Sequence, residues 1–198
     1  MRLLFCRKKY YDNDMRKLII ITGDLAAGKS TLANALSEQL SIPYITKDSL
    51  KEIACDIFSY QTREENRLLS KCATRDMVYF FKQSASVGAD LILEANFRAN
   101  ELEEIKDIAD EYEYRAALIV LKGDIPLLYQ RFLDRLPGRH RAHRSLNLDY
   151  SLERFTDYIN EIRNEDLVFV PHYLDMSDLD EDEVTEKALD FIYDEFGE

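Results

Sequence analysis

Short apolar runs alternate along the chain with longer segments in which apolar residues recur every three or four positions. The apolar runs predict five strands, at 17–22, 42–46, 90–94, 114–121 and 169–175. The periodic segments predict helices at 30–40, from 48 onward, and at 63–87, 99–112, 125–136, 151–163 and 180–196. Strands that alternate with helices build a parallel sheet covered on both faces, so we predict a three-layer α/β fold.

A glycine-containing segment lies between the first predicted strand and the helix that follows it. It reads Gly23-Asp24-Leu25-Ala26-Ala27-Gly28-Lys29-Ser30-Thr31, which matches the pattern GxxxxGK[ST] in the strand–loop–helix setting that the pattern needs. In such a loop the backbone N–H groups and the helix N-terminus face a phosphate chain. Lys29 then reaches the β- and γ-phosphates, and the Ser30 hydroxyl coordinates Mg²⁺. We therefore predict that residues 23–31 bind a nucleoside triphosphate.

Length, charge and cysteine content narrow the class of protein. A chain of 198 residues suits one domain, which we expect to span 15–198 with residues 1–14 as a poorly ordered leader. The net charge of −12 argues against general nucleic-acid binding. The three cysteines, Cys6, Cys55 and Cys72, form no metal or disulfide pattern, which favours a reducing cytoplasm. No apolar run reaches the roughly 18–20 residues of a membrane span.

A phosphate-binding loop alone does not separate kinases from other nucleotide-binding proteins. The chain lacks the Asn-Lys-x-Asp motif that reads guanine, which disfavours a GTPase. It also lacks the length and the additional motifs of a motor ATPase. A small phosphotransferase is the class that remains.

Two acidic residues follow predicted strands, at the sheet edge where ligands bind in doubly wound folds. Asp48 follows the second strand and could accept the proton of an attacking hydroxyl, although it could also serve only as a helix N-cap. Glu94 ends the third strand and could hold Mg²⁺ directly or through water, or could be a charged strand end exposed to solvent. Asn96 and Arg98 come just after it and are candidate substrate contacts.

A basic segment follows the fifth predicted helix in this acidic chain. Asp134 is its only acid from 131 to 148, and its basic residues are Arg131, Arg135, Arg139, His140, Arg141, His143 and Arg144. Guanidinium groups on a closing segment stabilise the charge that spreads over a transferring phosphoryl group. We therefore predict a lid at about 136–150, with the helical pair Arg131 and Arg135 as catalytic residues. The alternative is a solvated basic loop. The histidines lack a third ligand at a sensible spacing, so no zinc site is predicted.

These motifs, in this order, resemble those of the small P-loop kinases grouped as an AAA-like ATP-binding domain family. Its relatives include chloramphenicol phosphotransferase-like, zeta-toxin-like, gluconate and nucleoside-monophosphate kinases. The resemblance covers about residues 16–178 and is carried by the segments 21–31, 46–52, 93–97 and 131–144. It implies a five-stranded parallel sheet and transfer of the γ-phosphate of ATP, with Mg²⁺, to a hydroxyl of a small molecule. It also implies that Asp48 is the base, that Arg131 and Arg135 are lid arginines, and that residues 174–177 lie beside adenine.

The sequence thus predicts a cytoplasmic ATP-dependent kinase that is a monomer or homodimer and has no nucleic-acid or membrane partner. The resemblance places the acceptor pocket between the second and third strands, at about 48–87, where no acceptor signature is recognisable. Two alternatives stay open: a nucleotide-binding regulatory protein with slow ATPase activity, and a toxin-type kinase that acts on a nucleotide-sugar.

Overall fold

The computed structural model describes residues 15–143 and 151–197, and in them five strands form one parallel sheet. The order across the sheet is β2-β3-β1-β4-β5, so the first strand lies in its centre. The strands are β1 (Arg16–Gly23), β2 (Tyr44–Thr46), β3 (Leu91–Glu94), β4 (Tyr114–Lys122) and β5 (Pro171–Asp175). The predicted α/β class with a five-stranded parallel sheet is confirmed.

Helices cover both faces of the sheet, which gives the three layers that the alternating pattern predicts. The helices are α1 (Lys29–Leu40), α2 (Lys47–Ile57), α3 (Arg63–Ser86), α4 (Ala99–Glu111), α5 (Ile125–Arg135), α6 (Leu152–Arg163) and α7 (Glu181–Phe196). Ile19 and Ile21 of β1 pack in a core with α1, α5, α6 and α7, whereas Leu18 and Ile20 pack in a second core with α3 and α4. Neighbouring residues of β1 therefore face opposite layers, as the twofold repeat of a strand requires.

The structure corrects two details of the predicted elements. The fifth strand begins at Pro171 rather than at 169, because its pairing with β4 runs only from Pro171 to Asp175. Asp48 is not the N-cap of α2, because Thr46 occupies that position and its side chain accepts a hydrogen bond from the Ser49 N–H at 3.1 Å. Asp48 lies in the first turn, so its carboxylate is not used for capping.

The parallel register gathers the candidate residues at one edge of the sheet. Glu94 at the end of β3 lies opposite Ile21 of β1 and opposite Thr46 at the end of β2. The loop after β1 and the start of α2 consequently meet beside Glu94. Among the helices of the described residues, none is both long enough and apolar enough to cross a membrane.

Candidate active site

The loop between β1 and α1 is shaped by two glycines. Gly23 has φ 121°, and a Cβ atom at this position would lie 2.1 Å from the carbonyl oxygen of Leu121. Only glycine fits this close approach to β4. Gly28 has φ 86° and forms the N-cap of α1, where its left-handed conformation turns the chain into the helix. The loop therefore presents its backbone and the N-terminus of α1 at the carboxyl edge of the sheet.

Lys29 lies against this loop. Its side chain is buried, and Nζ donates to the carbonyl oxygens of Asp24 at 2.6 Å and of Gly23 at 3.2 Å. Burial lowers the pKa of the ammonium, while the nearby carboxylates of Glu94 and Asp48 oppose this shift. The structure thus holds a buried cation within the glycine loop, where a polyphosphate would need one.

Ser30 and Glu94 meet next to that cation. The Ser30 hydroxyl donates to Glu94 Oε2 at 3.1 Å, and Glu94 is only 4% exposed, which excludes the alternative of a solvated strand end. Burial raises the pKa of Glu94, and the positive charge of Lys29 works in the opposite direction. Carboxylate and hydroxyl oxygens are hard ligands that suit Mg²⁺, so the residue types present at this position fit a magnesium ion.

Asp48 lines the same cleft from the first turn of α2. Its side chain is 57% exposed. The carboxylate faces two groups of the predicted lid: Oδ2 lies 3.9 Å from Nη2 of Arg139, and Oδ1 lies 3.8 Å from Nδ1 of His143. An accessible carboxylate beside the phosphate loop has the position that a general base needs.

In the described part of the predicted lid, residues 136–143, the later residues pack along α2. His143 Nε2 lies 2.9 Å from Glu52 Oε1, and His140 Nε2 lies 3.1 Å from Asp56 Oδ1. Together with Asp48, these two acids repeat every four residues and form one acidic face of α2. The spacing of Asp48, Glu52 and Asp56 in the sequence is a signal that could have indicated this face. Arg144 and the rest of the predicted lid lie outside the described residues.

The two arginines that the sequence favoured both line cavities that the phosphate loop also lines. Arg135 lines the main cavity as well as a neighbouring cavity beside α7, and Arg131 lines the neighbouring cavity. Nη1 of Arg131 donates to the carbonyl oxygen of Met176 at 3.4 Å, so Arg131 contacts the segment that the resemblance placed beside adenine. Arg139, which the sequence ranked below these two, is the arginine that lies 3.9 Å from the Asp48 carboxylate.

The phosphate loop separates a main cavity from a neighbouring cavity beside α7. The main cavity, of about 500 Å³, contains the phosphate loop, Asp48, Glu94 and the facing side of α3. The neighbouring cavity, of about 300 Å³, lies between α1 and the start of α7 and has the apolar side chains of Met176, Leu179 and Val184 in its wall. Gly28 and Thr31 line both cavities, so the phosphate loop lies between them.

Asp24 was predicted as a nucleotide contact, but its side chain pairs with Arg163, which no sequence pattern indicated. Asp24 is fully buried, and its carboxylate accepts two hydrogen bonds from Arg163 Nε, at 3.1 and 3.2 Å, and one from Nη2 at 2.5 Å. The Gly123 N–H donates to the same carboxylate at 3.1 Å. Arg163 ends α6 and lies 139 positions from Asp24, so no local pattern could indicate this pair. The Asp24 N–H donates to the carbonyl oxygen of Leu121 at 2.8 Å, so both the side chain and the N–H of Asp24 support the loop, and the residues that line the main cavity begin at Leu25.

The comparison with known families decides which class of P-loop protein this is. The family model described as Zeta toxin matches residues 2–178. The chain belongs to the Zeta toxin family. It is also similar to the shikimate kinase of Chlamydia pneumoniae, at 28% identity over 170 residues that cover 80% of this chain and 89% of the relative. The resemblance to small P-loop kinases is thereby confirmed.

Solved structures show the same fold. A candidate kinase from Chloroflexus aurantiacus matches with a TM-score of 0.74 and 23% identity, over 90% of this chain and 99% of that one. The APS kinase of Mycobacterium tuberculosis, solved with AMPPNP and APS, matches with a TM-score of 0.56 and 14% identity, over 90% and 99% of the two chains. Together with the family match, the shikimate kinase relative supports a nucleotide-using phosphotransferase that acts on a small molecule.

Proposed function

We propose that this Zeta toxin family member is an ATP-dependent kinase that transfers the γ-phosphate to a hydroxyl of a small molecule. One observation carries the proposal. Lys29 of the phosphate loop, the Ser30–Glu94 pair and the accessible carboxylate of Asp48 line a single cavity of about 500 Å³. A cation for phosphate, oxygen ligands for a metal ion and a carboxylate base are the parts that phosphoryl transfer to a hydroxyl requires.

The nucleotide would occupy both cavities. Its phosphates would be bound by the N–H groups of residues 25–31 and by Lys29, whose ammonium would exchange the carbonyls of Gly23 and Asp24 for phosphate oxygens. Its base would enter the neighbouring cavity, where the wall includes the apolar side chains of Met176 and Val184. Ser30 and Glu94 would hold Mg²⁺, which neutralises charge on the phosphate oxygens when it is bound.

Asp48 would act as the general base. Its carboxylate accepts the proton of the acceptor hydroxyl while the hydroxyl oxygen forms a bond to the γ-phosphorus and the bond to the β-phosphate oxygen breaks. We propose Arg131 and Arg135 as the lid arginines that stabilise the transferring group and the nucleotide. Arg139, next to Asp48, is an additional candidate for the same task.

A second candidate function is that of a toxin-type kinase whose acceptor is a nucleotide-sugar. The match to the Zeta toxin family over residues 2–178 favours it. For either acceptor we propose a cytoplasmic protein, because Cys55 and Cys72 are both free thiols.

The test is a phosphotransfer assay on the full chain. The protein is incubated with ATP and Mg²⁺ and with a panel of sugars, nucleosides, nucleotide-sugars and antibiotics, and products are read by mass spectrometry. Asp48→Asn should keep its affinity for AMP-PNP and lose at least about a hundredfold of the transfer rate, because positioned base catalysis contributes about 10²–10⁴-fold. Asp76→Asn, at an exposed position of α3, is the matched control and should match the parent.

Two results would contradict the proposal. If Asp48→Asn transfers phosphate as fast as Asp76→Asn, Asp48 is not the base. If ATP is hydrolysed slowly and no member of the panel gains a phosphate, the regulatory alternative is favoured instead.

A further inference from the structure

Several cations line the acceptor side of the main cavity, and most of them already have a carboxylate partner. Lys47 pairs with Glu101 at 3.2 Å. Arg98 pairs with Glu165 at 2.7 Å, and its Nη1 lies 3.1 Å from Glu161. Because carboxylates of the protein already neutralise Lys47 and Arg98, these two cations are poor candidates for binding an anion of the acceptor.

Lys51 differs from these cations. It is only 8% exposed, and among the described residues no carboxylate oxygen lies within 4.0 Å of its Nζ. An ammonium has three N–H donors, and the bond that the structure shows goes to the neutral Oδ1 of Asn66 at 2.8 Å. Burial lowers the pKa of Lys51, and the negative charge of Asp48 opposes the shift. Burying a cation without an anionic partner costs stability, so the chain keeps this group at a structural cost.

Asn66 fixes the position of that ammonium. Its Oδ1 accepts from Lys51, and its Nδ2 donates to the carbonyl oxygen of Ala142 in the lid segment at 3.0 Å. The amide is therefore held from both sides, by α2 and by the lid. Both Lys51 and Asn66 line the main cavity, and Arg63 lies at the same wall without a carboxylate partner among the residues that the structure describes.

We propose that Lys51, held by Asn66, forms a subsite for an anionic group of the acceptor and so selects acceptors that carry a phosphate or a carboxylate. Lys51 lies one helical turn from Asp48 on α2, so an acceptor held there lies next to the proposed base. The identity of the bound molecule as the acceptor rests on the proposed kinase function. The existence of the anion subsite does not, because it is argued from the burial and the partners of Lys51 alone.

The experiment is a titration followed by NMR on the full chain. AMP-PNP and Mg²⁺ are added to fill the phosphate loop, and inorganic phosphate or acetate is then added in separate arms. The signals followed are the backbone N–H of Lys51 and the side-chain NH₂ of Asn66. Each anion is tested against the parent, Lys51→Met, Lys51→Gln and Lys71→Met, the last being an exposed lysine on α3 that does not line the cavity.

We expect at least one anion to shift both signals in a saturable manner. The arm that binds more tightly identifies the group as phosphate-like or carboxylate-like. Lys51→Met and Lys51→Gln should weaken that binding about tenfold or more, the usual cost of losing a charge-assisted hydrogen bond, and Lys71→Met should leave it unchanged. Having two variants means that the test does not depend on one of them folding.

The subsite is refuted if neither anion shifts these signals, or if both Lys51 variants bind as tightly as the parent. The outcome is separable from that of the proposed function, because the signals report the subsite whether or not AMP-PNP binds. If the anion binds but AMP-PNP does not, the proposed kinase function is contradicted and the anion subsite is supported.

Discussion

Replacing Arg163 by methionine tests whether the phosphate loop depends on the buried pair beneath it. Arg163→Met keeps much of the aliphatic length of the side chain and removes all of its hydrogen bonds to Asp24. It also removes the bond from Nη2 to the carbonyl oxygen of Gly123 at 2.6 Å. The carboxylate of Asp24, which is fully buried, would keep the N–H of Gly123 and lose its cation.

The expected magnitude follows from this environment. Breaking a buried ion pair by removing one partner costs about 3–5 kcal/mol, because the remaining charge is left in a poorly solvated position. The side chain of Arg163 is itself 28% exposed, so water can reach part of the vacated volume, and we expect the lower end of that range, about 3 kcal/mol. For a chain of this size, such a loss lowers Tm by about 6–12 °C.

The assay is urea unfolding of Arg163→Met, Asp24→Asn and the double variant. Arg154→Met, at an exposed position of the same helix, is the matched control and should stay within about 0.5 kcal/mol of the parent. The double variant should lose less than the sum of the two single losses, since each single change already breaks the same pair. A loss below about 1 kcal/mol for Arg163→Met, or additive losses in the double variant, would refute the reasoning.

Three further predictions concern other parts of the site. Gly23→Ala should cost about 4 kcal/mol in urea unfolding, because the new Cβ would meet the backbone of Leu121 at 2.1 Å at a strained φ; Gly138→Ala, with no atom within 4 Å, should cost almost nothing. His143→Gln should flatten the acid side of the stability–pH curve. Burial lowers the pKa of His143 from 6.5, so the native state binds fewer protons than the unfolded state, and stability is lost as the pH falls below 6.5. If the slope of stability against pH below 6.5 were the same in His143→Gln as in the parent, His143 would not be the group responsible. Glu94→Gln should raise the free energy of unfolding near pH 7, because burial raises the pKa of Glu94 and so penalises its charged form. The same variant should weaken Mg²⁺-dependent nucleotide binding, measured by calorimetry. A lower stability together with unchanged binding would contradict both parts.

The fold was predictable because its signals are local. Leu18 to Ile21 are all fully buried, and a continuous apolar run of this kind is typical of a central parallel strand that has cores on both faces. The phosphate loop was predictable because its pattern is also local. Gly23 and Gly28, which the pattern specifies, both have positive φ and lie within one short segment. The start of the fifth strand was less clear, because Phe169 is apolar yet packs beside the core without pairing to β4.

The parts of the site that were missed depend on contacts between distant segments. The Asp24–Arg163 pair spans 139 positions, and the contact between His143 and Glu52 spans 91. Asp48 shows a different limit of sequence-based prediction. Both Thr46 and Asp48 are residue types that form N-caps, and the sequence alone does not show that Thr46 is the residue that caps α2. Lys51 reads as an ordinary solvated lysine in the sequence, and only its burial against Asn66 distinguishes it.

The account depends most on the phosphate loop being the nucleotide site. A crystal structure of the full chain with AMP-PNP and Mg²⁺ tests this directly. We predict that the phosphates lie against the N–H groups of residues 25–31, with Lys29 Nζ turned from the carbonyl of Asp24 to a phosphate oxygen and the metal ion beside Ser30 and Glu94. Nucleotide bound elsewhere, with the bonds from Lys29 to Gly23 and Asp24 unchanged, would contradict the central claim.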